Sequence, residues 1–107
     1  MKVDITELLM FFDELMAPTN EELGVYWFKT VRPDGFIVTL AFSIHESYVD
    51  IIIHSSSKID IAGVSLKNCS EIRILDEKRK CLEIVHANGT GRCFLALSGT
   101  SILDYSE

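Results

Sequence analysis

Apolar side chains recur at intervals of three and four residues near the start of the chain, which is the spacing of one helical face. Asp4 stands where a helix N-cap is expected, and Glu7 three residues later completes a capping-box pattern. Pro18 ends the pattern, because proline cannot continue a helix. We therefore predict an N-terminal helix with one apolar face, made of Ile5, Leu8, Leu9, Phe12, Leu15 and Met16.

Met10 and Phe11 lie beside this apolar stripe rather than within it. One interpretation is a wide buried face that a loop covers. The other is an exposed apolar contact for a partner. The sequence leaves both open.

From Gly24 onward the pattern changes to short runs of β-branched and aromatic residues that alternate between two faces. The clearest unit is a hairpin whose strands, 25–31 and 36–44, are joined by Arg32-Pro33-Asp34-Gly35, with proline and glycine at positions that a tight turn favours. Further strands are predicted over 48–55, 59–66, 71–75, 81–86 and 92–98, with a bulge or bend at Gly63.

These elements together predict an α+β fold in a single domain, residues 1–107. The N-terminal helix packs on a predominantly antiparallel β-sheet of about six to seven strands. A chain of this length buries one core without metal or disulfide support.

Charge narrows the class of partner. The chain carries 16 acidic and 10 basic residues and a net charge of −6. This field repels phosphate backbones, so we expect no nucleic-acid binding. The same field speeds the encounter with a cationic protein.

Acidic residues interrupt the first apolar run, so we expect neither a secretory leader nor a membrane span. These residues are Asp4, Glu7, Asp13 and Glu14.

The chain has three cysteines, an odd number. Without a secretory leader, this number favours reduced thiols in the cytoplasm.

No catalytic, phosphate-binding or metal-binding motif occurs, so we expect no enzyme activity, no cofactor and no metal. Cys69, Cys81 and Cys93 are 12 residues apart and are interpreted as packed thiols, although Cys81 and Cys93 can lie close across paired strands. A contact between Cys93 and His86 stays open. His45 and His54 are interpreted, with His86, as partly exposed strand-end residues.

Carboxylates interleaved with tyrosines are the candidate binding residues, because charge-assisted pairs and aromatic anchors suit recognition of an Arg- or Lys-rich protein. The alternative is an ordinary solvated surface. The candidates are Glu46, Tyr48 and Asp50 at one turn, Glu71, Asp76, Glu77 and Glu83 in the fifth and sixth predicted strands, and Asp104 and Tyr105 near the end of the chain.

In architecture and composition the chain resembles the immunity proteins encoded beside polymorphic bacterial toxins, including those of contact-dependent growth inhibition. The resemblance is carried by an acidic chain of this length, an N-terminal helix before an antiparallel sheet, and the segments 65–76 and 81–84. It implies a cytoplasmic inhibitor that docks on a cognate toxin domain, often a nuclease, and blocks its active site. It transfers no binding residues.

Three hypotheses follow. The first is a protein that neutralises a basic toxin domain, binding at about nanomolar affinity or better, or about −12 kcal/mol. The second is a dimeric secretion chaperone that uses Met10 and Phe11 in a groove. The third is a small enzyme that uses Cys93 or His86. The oligomeric state stays open.

Overall fold

The N-terminal segment forms a strand, a short helix and a second strand, rather than one long helix. The computed structural model describes residues 1–12, 14–16, 19–57, 59–76, 80–87, 92–98 and 102–106. In it, β1 is Lys2–Val3, α1 is Ile5–Phe11 and β2 is Glu14–Leu15. The predicted N-cap is confirmed, since the Asp4 carboxylate accepts a hydrogen bond of 3.1 Å from the Glu7 backbone N–H.

The helix ends at Phe11, five residues earlier than predicted. Phe12 has the extended dihedral angles φ −99° and ψ 143°. Leu15 then pairs with Phe28 in a sheet instead of continuing the helical stripe. Strand pairing therefore replaces the last predicted turns of helix.

The helix buries a narrower face than the spacing predicts. Leu8, Phe11 and Phe12 are buried, whereas Leu9 is 50% exposed and Met10 is 78% exposed. Of the two residues outside the predicted stripe, Phe11 belongs to the core and Met10 faces solvent.

Eight further strands follow the helix and β2 among the described residues, and they form two sheets. The sheet orders are β2-β3-β4-β5-β6 (sheet I) and β1-β7-β8-β9-β10 (sheet II). The bounds are β3 Val25–Val31, β4 Ile37–Ser43, β5 Tyr48–His54, β6 Asp60–Leu66, β7 Cys69–Asp76, β8 Cys81–His86, β9 Arg92–Ala96 and β10 Leu103–Ser106.

The single sheet predicted from the pattern is therefore wrong, while its predominantly antiparallel character is confirmed. Within the part of the chain that the structure describes, every strand pair is antiparallel except β1 with β7. The two sheets share one core, to which α1 also contributes. Its largest buried side chains include Phe28 and Phe42 from sheet I and Leu82, Ile84 and Leu95 from sheet II.

The chain passes between the sheets at two places. The helix α1 leads from β1, at one edge of sheet II, to β2, at one edge of sheet I. The second passage is only two residues long, Lys67 and Asn68, between β6 and β7. Asn68 has φ 56°, a left-handed conformation that asparagine tolerates better than most residues.

The β3–β4 hairpin has the predicted turn. The Gly35 N–H donates to the Arg32 carbonyl at 2.9 Å, and the Arg32 N–H donates to the Phe36 carbonyl at 2.8 Å. Gly35 has φ 90°, which explains why glycine stands there. Residues 77–79, between β7 and β8, and residues 88–91, between β8 and β9, lie outside the described residues.

The bulge predicted at Gly63 is wrong. Gly63 pairs regularly with Ile52, and the register shifts two residues away, where Ile53 and His54 pair with Ala62 and Asp60. The irregularity therefore lies at the N-terminal end of β6, and the strand is regular from Ala62 to Leu66.

Candidate partner-binding site

The first predicted cluster comes together in one groove, which we call the acidic groove. It has a volume of about 410 Å³ and is lined by Glu46, Tyr48, Asp50, Ser65, Leu66, Lys67 and Asn68. Two carboxylates and one ammonium group give it a negative balance. The structure therefore places Glu46, Tyr48 and Asp50 along one groove, and their role in partner binding stays a prediction.

Strand geometry explains why these residues meet. Tyr48 and Asp50 are two residues apart in β5, so their side chains leave the same face of sheet I. Ser65 of β6 pairs directly with Asp50. Because the Ser65 side chain is small, it does not cover the neighbouring Asp50 side chain. Asp50 is half-buried, and an opposite charge that reaches it is screened less than at a fully exposed site.

The turn at one end of the groove is held by local hydrogen bonds. The Glu46 N–H donates to Ser43 Oγ at 3.1 Å, and the Ser47 carbonyl accepts from the Cys69 N–H at 2.8 Å. Ser47 has φ 57°, so two left-handed residues, Ser47 and Asn68, flank the groove. This turn and the β6–β7 passage position Glu46 against β6.

Glu83 has a different environment from that expected of a binding carboxylate. It is 3% exposed, and its two oxygens accept hydrogen bonds from Arg73 at 2.5 Å and from Arg92 at 3.0 Å. Burial raises the pKa of Glu83, but the hydrogen bonds and charges of the two arginines outweigh it and hold the pKa below its usual value. The Glu83 charge is therefore compensated within the molecule.

Both arginines reach the outer surface of sheet II. Their side chains are 48% and 63% exposed for Arg73 and Arg92, and the Arg92 guanidinium lies 5.0 Å from the centre of the Phe94 ring. The part of sheet II predicted to be acidic is thus a mixed surface.

The remaining candidates are spread over sheet II. Glu71 and Asp76 are half-buried in β7, and Asp104 is exposed in β10 opposite Phe94. Tyr105 pairs through its backbone with Cys93. Glu77 lies outside the described residues, and so does the Tyr105 side chain. None of these residues lines the acidic groove.

Two of the three cysteines are buried, and Cys81 is half-buried. Cys69 and Cys93 are 2% and 0% exposed. Burial, with smaller contributions from Cys69 and Asp104, raises the pKa of Cys93 to about 11, so its thiol is protonated at neutral pH. Cys81 pairs with Ala96 and Cys93 with Ile84, so Cys81 and Cys93 are not cross-strand partners.

The three histidines lie on different elements of the fold. His86 pairs with Cys69 across β7 and β8. His45 is exposed and packs beside Gly24, whereas His54 is half-buried at the end of β5. No group of three metal-binding side chains occurs within the described residues, and no helix among them has the length and apolar character to cross a membrane.

A solved structure shares this architecture. A chain of the contact-dependent growth inhibition toxin–immunity protein complex from Klebsiella pneumoniae 342 matches with a TM-score of 0.74, covering 98% of this chain and 93% of that chain. Sequence identity is 13%. The two chains share a fold. The resemblance to proteins of contact-dependent growth inhibition, expected from the sequence, is confirmed at the level of the fold.

Other comparisons identify no relative, since the sequence matches no family model and no curated protein. Sequence reasoning found three of the groove residues through the alternation of carboxylates with tyrosine. It missed Ser65 and Leu66, which the register between β5 and β6 brings to the same place, and Lys67 and Asn68, which follow β6.

Proposed function

We propose that this chain is an immunity protein that binds a cognate toxin domain and neutralises it by covering the toxin active site. The observation that carries the proposal is the fold, which this chain shares over nearly its whole length with a chain of a toxin–immunity protein complex. At 13% identity the shared fold supports the class of protein and leaves the contacts to be argued from this chain.

Charge supports the immunity role over the toxin role. We propose that the toxin is a nuclease, which needs cations to hold phosphate. This chain carries a net charge of −6, and its groove presents Glu46 and Asp50. An inhibitor with this surface imitates the charge of the substrate and is steered to the basic cleft.

The test is to mix the purified chain with the toxin domain encoded next to it and to measure mass and toxin activity. We expect a 1:1 complex by light scattering and loss of nuclease activity at equimolar inhibitor. A toxin that remains active and unbound at micromolar concentrations contradicts the proposal.

The acidic groove is tested with a matched pair of neutralising variants. We expect Glu46→Gln with Asp50→Asn to weaken binding by at least about tenfold, which corresponds to about 1.4 kcal/mol. Glu14→Gln with Asp104→Asn removes two exposed carboxylates outside the groove and serves as the control. Equal effects of the two changes would assign binding to general charge instead of the groove.

A second candidate function, a secretion chaperone, rests on a different surface. Met10 is 78% exposed beside a groove of about 210 Å³ that is lined by Glu7, Met10, Phe11, Ile74 and Lys80. A chaperone of this kind binds an unfolded segment there as a dimer. Met10→Asp separates the hypotheses, because it abolishes such binding and leaves capture of a folded toxin domain unchanged.

A further inference from the structure

The strand β6 forms one edge of sheet I. Its only neighbour in the sheet, as far as the chain is described, is β5. Residues Ile61, Ala62, Gly63 and Ser65 are exposed, and Val64 is half-buried. An edge of this kind presents backbone N–H and C=O groups that are free to pair with another strand.

Most edge strands are guarded by a charge, a proline or a bulge. The register shift guards the N-terminal end of β6, but the regular segment from Ala62 to Leu66 has no charged residue and no proline. Ile59 and Ile61 add apolar surface at 65% and 54% exposure. The regular segment, which is five residues long, therefore has no charge, proline or bulge to prevent it from pairing with another strand.

This edge opens directly into the acidic groove. Ser65 lies on the edge strand β6, and its register partner Asp50 lies on the next strand of the sheet, β5. Both residues line the groove. A strand added to β6 would lie about 10 Å from β5, which is twice the strand spacing. An extended basic side chain and an aspartate together cover that distance. Because Ser65 and Gly63 are small, neither of them blocks the path over the outer face of β6 towards Asp50.

We propose that a strand of the toxin domain pairs with residues 62–66 of β6 and places an arginine or lysine opposite Ser65, where it reaches Asp50. The inference rests on the proposed function and specifies its binding mode. Backbone hydrogen bonds supply affinity, and the basic side chain fixes the register. The carboxylates of the groove outnumber its one ammonium group, Lys67, so a cation is favoured there.

Charge argues against a second copy of this chain as the occupant. Each copy carries a net charge of −6, so two copies repel each other. A basic partner is instead attracted to the same edge. We therefore expect the free protein to be monomeric, and a dimer whose β6 amides are protected from exchange would overturn the proposal.

Amide hydrogen exchange of the free chain and of its complex with the neighbouring toxin domain tests the strand pairing. We expect alternate amides in residues 62–66, those that point away from β5, to gain protection in the complex. A tight complex in which these amides exchange as before overturns this inference alone. Failure to form any complex overturns the proposed function as well.

Variants of the edge give a second test. Ser65→Arg places a cation beside Asp50 within the chain and fills the path over β6, so we expect affinity for the toxin domain to fall by at least about tenfold. Thr6→Arg adds the same charge at an exposed position of α1, outside the groove, and is the matched control, expected to bind within about threefold of the original chain. Unchanged binding by Ser65→Arg contradicts the proposal.

Proline substitution separates backbone pairing from side-chain effects. In an antiparallel strand, successive residues direct their N–H groups to opposite sides, so only one of Val64→Pro and Ser65→Pro disrupts pairing with β5. The variant that keeps the original melting temperature is expected to lose toxin binding. If the variant that folds normally binds normally, the toxin does not add a strand here.

Discussion

At the residue scale, two glycines differ sharply in what a side chain would meet. Gly24 has φ 66°, and a Cβ there would lie 2.9 Å from His45 Cδ2. Gly63 lies in a regular strand, and its Cβ would lie 3.5 Å from the Ile51 carbonyl oxygen, an ordinary contact. One position therefore requires glycine and the other tolerates alanine.

We predict that Gly24→Ala lowers the free energy of unfolding by about 2 kcal/mol, through left-handed strain and the clash with His45. Gly63→Ala should change it by less than about 1 kcal/mol, because the new methyl group fits. Urea unfolding of both variants measures the difference. Equal stabilities would mean that the turn before β3 accommodates a side chain.

Glu83 is the second residue whose surroundings determine how much a substitution changes the stability of the fold. Glu83→Gln removes the buried charge between Arg73 and Arg92, and we predict a loss of about 1–2 kcal/mol at pH 7, a modest value because both arginines are partly exposed. Glu71→Gln, on the same sheet, is the control. A loss for Glu71→Gln as large as that for Glu83→Gln would contradict the assignment.

The same carboxylate predicts a pH dependence. The folded pKa of Glu83 is lowered, so its stabilisation is fully present above the unfolded value of about 4.3 and is lost as pH falls through the folded value. The stability difference between the original chain and Glu83→Gln should therefore shrink as pH falls below about 4. Unfolding curves at pH 7, 4 and 3 measure it, and a constant difference would exclude titration of Glu83.

The sequence predicted correctly the residues whose contacts are with near neighbours along the chain. The Asp4 cap and the Arg32–Gly35 turn depend on neighbours within four positions, so the sequence shows them directly. Glu83 depends on Arg73 and Arg92, which lie 10 and 9 positions away on adjacent strands. Its charge is visible in the sequence, but its burial follows from a register that the sequence does not specify.

At the element scale, pairing between distant segments overrides helical spacing. The Met16 N–H donates to the Trp27 carbonyl at 2.7 Å, and Glu14 pairs with Lys29. Helical preference differs by less than about 1 kcal/mol per residue among ordinary residues, so such contacts decide the end of the helix. The start of the helix was predictable because its cap is local; its end was not.

One side chain ties the hairpin of sheet I to sheet II. The Arg32 side chain is 1% exposed, and its Nε lies 3.2 Å from an Asp34 carboxylate oxygen. Its Nη1 donates to the Ala96 carbonyl oxygen in β9. The guanidinium therefore satisfies groups on both sheets at once.

We predict that Arg32→Met lowers the free energy of unfolding by about 3 kcal/mol, because it leaves the Ala96 carbonyl and Asp34 without this donor. Arg32→Lys should recover only part of the loss, since an ammonium group cannot reproduce the planar fork. Chemical denaturation ranks the three chains. Equal stability of Arg32→Lys and the original chain would show that charge alone suffices.

At the scale of the whole molecule, alternation identifies strands but not the sheet to which each belongs. The β6 and β7 strands are separated by two residues, yet they lie in different sheets because Asn68 turns the chain. A pattern of period two is the same on both sides of such a turn. All seven strands predicted after Gly24 lie within two residues of their observed bounds, whereas β1, β2 and β10 are too short or too terminal for periodicity to show.

The acidic field of the molecule and the acidic groove make separable contributions to the proposed toxin binding. Changing Glu46 and Asp50 to lysine brings the net charge from −6 to −2, and so does changing Glu14 and Asp104, two exposed acids outside the groove. Both double variants weaken long-range steering, so we predict that both slow association in low salt and reduce its dependence on ionic strength. Only the groove variant should also speed dissociation, because only there does a partner cation lose its contact. Stopped-flow association and dissociation rates at several salt concentrations distinguish the two effects; equal dissociation rates for both variants would place the contact outside the groove.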